Sequence, residues 1–184
     1  MAKTTWVIDP THSEFGFKIR HLMITNVSGV FGKFDIIAET DNEDFSSAKI
    51  SAKLDPASIN TNNAQRDAHL RNEDFFEVEK YPEILFESTE VKLKDEENFL
   101  LRGNLTLRGI TKPVELNVEF SGVIAKDPWG LQRAGFTVSG KINRTDFGLN
   151  FNSILDTGGL ALGEEVKLQG EIQLVKQTAA VAAA

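Results

Sequence analysis

Apolar and polar residues alternate along most of this chain. Phe15, Phe17 and Ile19, for example, are separated by single polar or small residues. A period of two is typical of a β-strand with one buried and one wet face. The same pattern recurs in the segments 48–54, 99–107, 114–124, 136–142 and 166–174. Segment 83–94 changes parity between Phe86 and Val91, which predicts a β-bulge near Ser88 or Thr89.

Turn signals separate these segments. Clusters of turn-forming residues occupy 95–98, 109–113 and 127–130. The chain therefore contains about eight strands, most of them longer than the usual five or six residues. Long antiparallel strands with one buried face predict an all-β fold in which a sheet curls around its own inner face, as in a closed up-and-down barrel. A two-sheet sandwich is the alternative architecture.

One stretch departs from the alternation and favours a helix near 63–73. Asn62 or Asn63 can cap it. Arg66, His69 and Leu70 share one face of that helix, and Asp67 can pair with Arg71 at the i, i+4 spacing. A second irregular or helical stretch, rich in Asn, Gly and Ser, is expected over 143–160.

Glycines fall on the apolar parity of four strands. Gly103, Gly122, Gly140 and Gly170 each lie between apolar residues that share their face. Missing side chains on the inner face of an eight-stranded barrel favour an open lumen. The alternative is that these glycines only permit the bending that barrel strands require.

Composition excludes several classes of site. The 184 residues contain no cysteine and three histidines, so disulfides, thiolate metal sites and cysteine nucleophiles are excluded and no metal site is expected. A formal net charge of −7 argues against a nucleic-acid partner. No apolar run is long enough for a membrane span.

The two ends of the chain carry expectations about location and order. The amino terminus lacks a secretory signal, so we expect a cytoplasmic protein, or a periplasmic one if a signal has been removed. We expect one domain over 1–176 and a disordered tail over 177–184.

Phenylalanine dominates the aromatic content, with 13 residues against one tyrosine and two tryptophans. A lumen walled by such residues would stay dry and suit an elongated apolar guest. Most of the phenylalanines, and Trp6, are expected in the ordinary core, with Trp129 in a loop. The candidate pore-lining residues are Phe15, Phe17, Ile19, Phe75, Phe76, Phe86, Gly103, Phe120, Gly122, Phe136, Val138, Gly140 and Gly170.

Four basic side chains are candidates for contact with a ligand head group: His12, Arg66, His69 and Arg133. For His12 the competing interpretation is a local turn contact, and Arg66 and Asp67 could instead attach the helix to the barrel through ion pairs. His21 is interpreted as a core histidine. Asn143, Arg144 and Asp146 are interpreted as structural, with an Asx turn and an Arg–Asp pair.

Several segments together resemble the YceI family of bacterial proteins, in order and in spacing. They are WVIDPTHSEFGF (6–17), HLMITNVSGVFGKF (21–34), SINTNNAQRDAHL (58–70), YPEILFES (81–88), GNLTLRGITKPV (103–114) and INRTDFGL (142–149). The resemblance implies an extended eight-stranded lipocalin-like barrel with a hydrophobic pore for an isoprenoid chain, such as a polyprenyl phosphate or a quinone tail, or for a fatty amphiphile. It also suggests a homodimer, and family members are often exported to the periplasm.

The resulting functional hypothesis is non-enzymatic binding, storage or transport of a long apolar lipid, with no catalytic residues and no cofactor other than a bound lipid such as a polyprenyl chain or isoprenoid quinone. The alternative is an isomerase or cyclase that uses His69, Arg66 and Asp67 as acid, base or polariser. A third possibility is a structural domain with a filled barrel.

Overall fold

A computed structural model describes residues 2–178. Within them, one antiparallel sheet and one short α-helix make up the regular structure, together with three 3-10 turns. The strands are β1 (Lys3–Ile8), β2 (Glu14–His21), β3 (Thr25–Phe31), β4 (Phe34–Asp41), β5 (Asp44–Leu54), β6 (Ile59–Asn60), β7 (Ile84–Leu93), β8 (Asn98–Leu107), β9 (Ile110–Ile124), β10 (Arg133–Asn143) and β11 (Leu162–Lys176); the helix is α1 (Ala64–Arg71).

The sheet closes on itself. Strand β11 pairs with β10 on one side and with β1 and then β2 on the other, while β1 also pairs with β4. The pairs β1/β2, β3/β4 and β5/β6 therefore act as three long interrupted strands. With β7, β8, β9, β10 and β11 they form the eight positions of a closed barrel. The predicted barrel is confirmed, and the sandwich alternative is wrong.

Two of the four register shifts found among the described strands bear on the sequence predictions. The register of β7 against β8 shifts between Ser88 and Glu90, which confirms the predicted bulge. A second shift lets Phe136 pair with Phe120 while Gly135 pairs with Gly122, so that Ser121 is the extra residue on β9. Beyond it the parity reverses, and Ile124, expected to face inward, is 58% exposed.

Helix α1 begins where its cap was predicted. The side chain of Asn63 accepts a hydrogen bond from the backbone N–H of Arg66 at 3.0 Å. The expected Asp67–Arg71 pair does not form. Arg71 instead donates to the carbonyl of Ala57 at 2.9 Å. The second irregular stretch is confirmed as a 3-10 helix over Arg144–Phe147, followed by turns that lead into β11.

Aromatic side chains fill the barrel interior at the end farthest from α1, which we call the aromatic end. Phe45 lies 4.9 Å from Trp6 and 5.0 Å from Phe136 between ring centroids, and Trp6 is fully buried. The core position expected for Trp6 is confirmed, and Trp129 is 73% exposed in a loop, also as expected. The end where α1 lies is called the helix end.

Within residues 2–178, no helix is both long and apolar enough to cross a bilayer. The sheet extends from Lys3 to Lys176. Most of the tail that was expected to be disordered, residues 179–184, lies outside the described residues.

Candidate functional site: an apolar cavity inside the barrel

The barrel encloses a cavity of about 450 Å³. That volume falls in the usual range for small-molecule sites, roughly 300–1,000 Å³. The inward-facing residues of nearly every strand contribute to its wall, from Leu107 and Ile142 near the helix end to Phe45 and Leu174 at the aromatic end. The cavity therefore follows the barrel along most of its length, and its shape suits an elongated molecule.

Phenylalanine makes up much of this wall. Eleven of the 13 phenylalanines border the cavity; Phe120 and Phe147 do not. Seven of the 13 belong to buried core clusters, which confirms the expectation that most are ordinary core. Core and cavity wall are largely the same surface in this barrel. Five of these wall residues were not predicted from the sequence: Phe31, Phe34, Phe45, Phe99 and Phe151.

Eight of the predicted pore-lining residues border the cavity: Phe15, Phe17, Ile19, Phe75, Phe76, Phe86, Phe136 and Val138. Phe120 instead packs against Phe45 and Phe136 at the aromatic end, with ring centroids 5.5 and 5.3 Å away, and does not border the cavity. It therefore packs against two residues of the cavity wall without contacting the cavity itself.

Three of the four inner glycines, Gly103, Gly140 and Gly170, do not leave empty space, which corrects the prediction that they open the lumen. A Cβ on Gly103 would lie 2.4 Å from the ring of Phe86, and one on Gly140 would lie 2.6 Å from the side chain of Leu116. A Cβ on Gly170 would lie 2.9 Å from the ring of Phe15. Neighbouring strands thus lay their side chains over these glycines. Gly122 sits at the β9 bulge with φ of 121° and serves the bend.

All of the polar side chains on the cavity wall lie toward the helix end. Among residues 2–178 they are His21, Thr61, Arg66, His69 and Arg144. His21 ends β2, Thr61 follows β6, Arg66 and His69 belong to α1, and Arg144 follows β10. An apolar chain with one polar end would therefore find matching surroundings in only one orientation.

Arg66 and Asp67 attach the helix to the barrel through Thr61. Arg66 donates from Nε to Thr61 Oγ1 at 2.7 Å and from Nη2 to the Thr61 carbonyl at 2.6 Å. The buried carboxylate of Asp67 accepts from the Thr61 backbone N–H at 2.9 Å. The attachment thus uses hydrogen bonds to one threonine rather than the expected ion pairs, and Asp67 does not border the cavity. This arrangement does not favour Asp67 as a catalytic acid or base.

His69 borders the cavity inside a group of aromatic rings. Its ring packs edge-on against Phe75 and Phe151, with centroid distances of 5.0 and 4.8 Å. Its Nε2 lies 2.8 Å from Oδ2 of Asp74. Phe75 and Phe151 are themselves 5.1 Å apart. The three rings form one packed group at the helix end.

Arg144 is a cavity residue that sequence reasoning assigned to structure. The expected pair with Asp146 does not form. The expected Asx turn does form, since Asn143 Oδ1 accepts a hydrogen bond from the Thr145 backbone N–H at 2.9 Å.

The Arg144 guanidinium donates instead to the backbone carbonyls of Gly163, Leu149 and Phe151. Burial lowers the pKa of Arg144 from its ordinary value, and the charge of Glu164 partly opposes that shift.

The other two head-group candidates lie away from the cavity. Arg133 forms ion pairs with Asp9 and Asp127 and also donates to Gln173. The Nδ1 atom of the exposed His12 lies 2.8 Å from the carboxylate of Asp9. These contacts agree with the interpretation of His12 as a residue of a local turn.

The carboxylates around Arg133 have lowered pKa values. Burial of Asp9 would raise its pKa, but hydrogen bonds from His12, Thr11 and Arg133 outweigh this effect and hold the pKa well below the ordinary value. The pKa of Asp127 is also lowered, since Arg133 and two backbone N–H groups outweigh its desolvation.

The family model of a YceI-like domain matches residues 6–174. This chain belongs to the YceI family. A UPF0312 protein of Staphylococcus aureus (strain N315) is 42% identical over 170 residues, which cover 92% of this chain and 96% of that protein.

Solved structures share the barrel. A Campylobacter jejuni YCEI protein is 32% identical with a TM-score of 0.75, covering 93% of this chain and 97% of that chain. A polyisoprenoid binding domain from Saccharophagus degradans is 14% identical with a TM-score of 0.62, covering 92% and 97%. The second likeness concerns the fold only. The lipocalin-like barrel of this YceI chain is thus common to its family.

Proposed function

We propose that this YceI protein binds a long apolar lipid chain, such as a polyisoprenoid, a quinone tail or a fatty chain, inside its barrel, in order to store or transport it. The observation that carries the proposal is the cavity of about 450 Å³, whose wall is hydrocarbon except at the helix end. The related fold from Saccharophagus degradans carries the description of a polyisoprenoid binding domain, which is compatible with this ligand class.

The composition of the wall sets the chemistry of the guest. Tyrosine does not border the cavity, and the phenylalanine rings carry no hydroxyl that an alkyl guest would leave unpaired. Each methylene group moved from water into such a wall contributes about 0.8 kcal/mol. A chain of a few isoprene units can therefore reach micromolar affinity after the entropy losses of binding.

Extraction followed by mass spectrometry tests this proposal. The purified protein, expressed in two unrelated hosts, is extracted with organic solvent, and the extract is compared with that of an unrelated β-barrel purified in parallel. The expected result is an enriched long-chain lipid at close to one molecule per barrel. Blank extracts from both hosts, together with no uptake of added farnesol or oleyl alcohol, would contradict it.

A further inference from the structure

Arg144 is a buried cation without a carboxylate partner. Its exposed fraction is 3%, the smallest among the arginines that border the cavity. Within residues 2–178 no carboxylate lies within ion-pair distance of it, whereas Arg133 has two such partners. A buried charge without a counter-charge is costly to keep. The charge of Glu164 acts on the guanidinium without forming an ion pair, so the buried charge is only partly compensated.

The hydrogen bonds of Arg144 use two of the three guanidinium nitrogens. Nε donates to the Gly163 carbonyl at 2.8 Å, and Nη1 donates to those of Leu149 and Phe151 at 2.5 and 2.9 Å. Nη2 has no acceptor among the described residues. Nη2 is not among the fully enclosed atoms that lack a partner, and Arg144 borders the cavity. The two N–H groups of Nη2 are thus the guanidinium donors without a protein acceptor among the described residues.

The carbonyl contacts also hold the guanidinium in place. They come from the loop after β10 and from the start of β11, so the side chain is fixed from two directions. Arg108 fixes the same loop from outside, donating to the Gly148 carbonyl at 2.9 Å, and does not border the cavity. A guanidinium fixed in advance loses little entropy when it binds an anion and gives charge-assisted hydrogen bonds.

We propose that Arg144 receives an anionic head group, a carboxylate or a phosphate, of the apolar molecule that enters the barrel. This inference rests on the proposed function, because it concerns the polar end of the same ligand. The anion would lie at the helix end, against Nη2 of Arg144, with the apolar chain extending toward the aromatic end. A neutral alcohol of equal length would gain hydrogen bonds there but no compensation of charge.

Paired ligands test the proposal on the unaltered protein. Affinities are measured by calorimetry for oleate against oleyl alcohol, and for farnesyl phosphate against farnesol, below their critical micelle concentrations. We expect the anion of at least one pair to bind ten times more tightly than its alcohol or better, and the pair that shows this preference identifies the head group. Equal affinities in both pairs would overturn the proposal while leaving the proposed function intact. No binding of any of the four would contradict the proposed function itself.

Variants assign the preference to one side chain. In Arg144→Met the preference should disappear, and in Arg108→Met, which loses contacts to the same loop outside the cavity, it should remain. A preference that survives in Arg144→Met, or that disappears only in Arg66→Met, would overturn the assignment. If Arg144→Met does not fold, a crystal structure of the unaltered protein with the preferred anion decides: an anion oxygen within about 3.2 Å of Nη2 supports the proposal, and an anion elsewhere overturns it.

Discussion

The ring of Phe86 lies over Gly103 on the neighbouring strand, so close that a Cβ on Gly103 would be 2.4 Å from it. The same Cβ would be 2.5 Å from the backbone carbonyl oxygen of Glu87. The absence of a side chain at Gly103 thus leaves the space that the ring of Phe86 occupies. In this barrel, glycine and phenylalanine on adjacent strands are two parts of one packing arrangement.

Substitution of Gly103 by alanine should therefore destabilise the barrel. We expect Gly103→Ala to lower the free energy of unfolding by about 1–3 kcal/mol, since neither the ring nor the backbone can move away without strain. The matched control is Gly135→Ala on β10, where the new Cβ would only reach van der Waals contact with Ser121 at 3.7 Å. Urea denaturation of both variants checks this. Equal stability of the two would contradict the packing described.

Shortening Phe45 should lengthen the cavity. The side chain is 8% exposed and contacts three rings at the aromatic end, so Phe45→Ala should cost about 3–5 kcal/mol. It should also shift the preferred ligand to a longer chain. Phe147→Ala is the control, because Phe147 is also buried but does not border the cavity. A change in chain-length preference in both variants, or in neither, would show that Phe45 does not limit the cavity.

Filling the lumen should abolish binding without unfolding the barrel. Ala52 borders the cavity on β5, while Lys49 is exposed on the outer face of the same strand. Ala52→Phe should reduce affinity for oleyl alcohol at least tenfold, and Lys49→Phe should leave it unchanged. Circular dichroism checks that both retain the sheet. Full affinity in a folded Ala52→Phe protein would place the ligand elsewhere.

Acid should weaken the protein through the carboxylates around Arg133. The pKa values of Asp9 and Asp127 are lowered in the folded state. As the pH falls, these carboxylates therefore take up protons first in the unfolded chain, near the ordinary aspartate pKa of about 3.9. Their contribution to the free energy of unfolding is complete above that pH and is lost as the pH falls toward the folded-state pKa values. Melting temperatures at pH 7, 4 and 3 should therefore decline less steeply in Asp127→Asn than in the unaltered protein.

The control for this acid profile is Asp156→Asn, which changes an exposed carboxylate in the loop before β11. It should show the full decline. If Asp127→Asn declines as steeply as Asp156→Asn, the carboxylates around Arg133 do not contribute to acid sensitivity.

Local patterns were sufficient to predict much of the wall of the barrel, although not all of it. The period of two assigned Phe15, Ala52 and Leu168 to the inner face, because strand parity depends on sequence neighbours alone. It failed at Ile124, where one extra residue in the β9 bulge reversed the parity. Such a bulge leaves a signal only where both flanking segments are strongly apolar, as around Ser88.

Contacts between distant segments could not be predicted. Gly103, Gly140 and Gly170 were interpreted as openings because the side chains that cover them belong to other strands, whose register is set by the closed sheet. Arg144 was paired with Asp146 because the two are close in sequence. Its actual partners, the carbonyls of Leu149 and Gly163, depend on the path of a loop that has no periodic pattern.

The dependence of affinity on chain length tests the central claim most directly. Binding of unbranched alcohols from decanol to octadecanol is measured by calorimetry on delipidated protein. Burial in the cavity predicts a gain of about fourfold per methylene, equivalent to roughly 0.8 kcal/mol, up to the length that fills the barrel, and no gain beyond it. An affinity that is independent of chain length over the whole series would contradict the claim that the apolar chain lies inside the barrel.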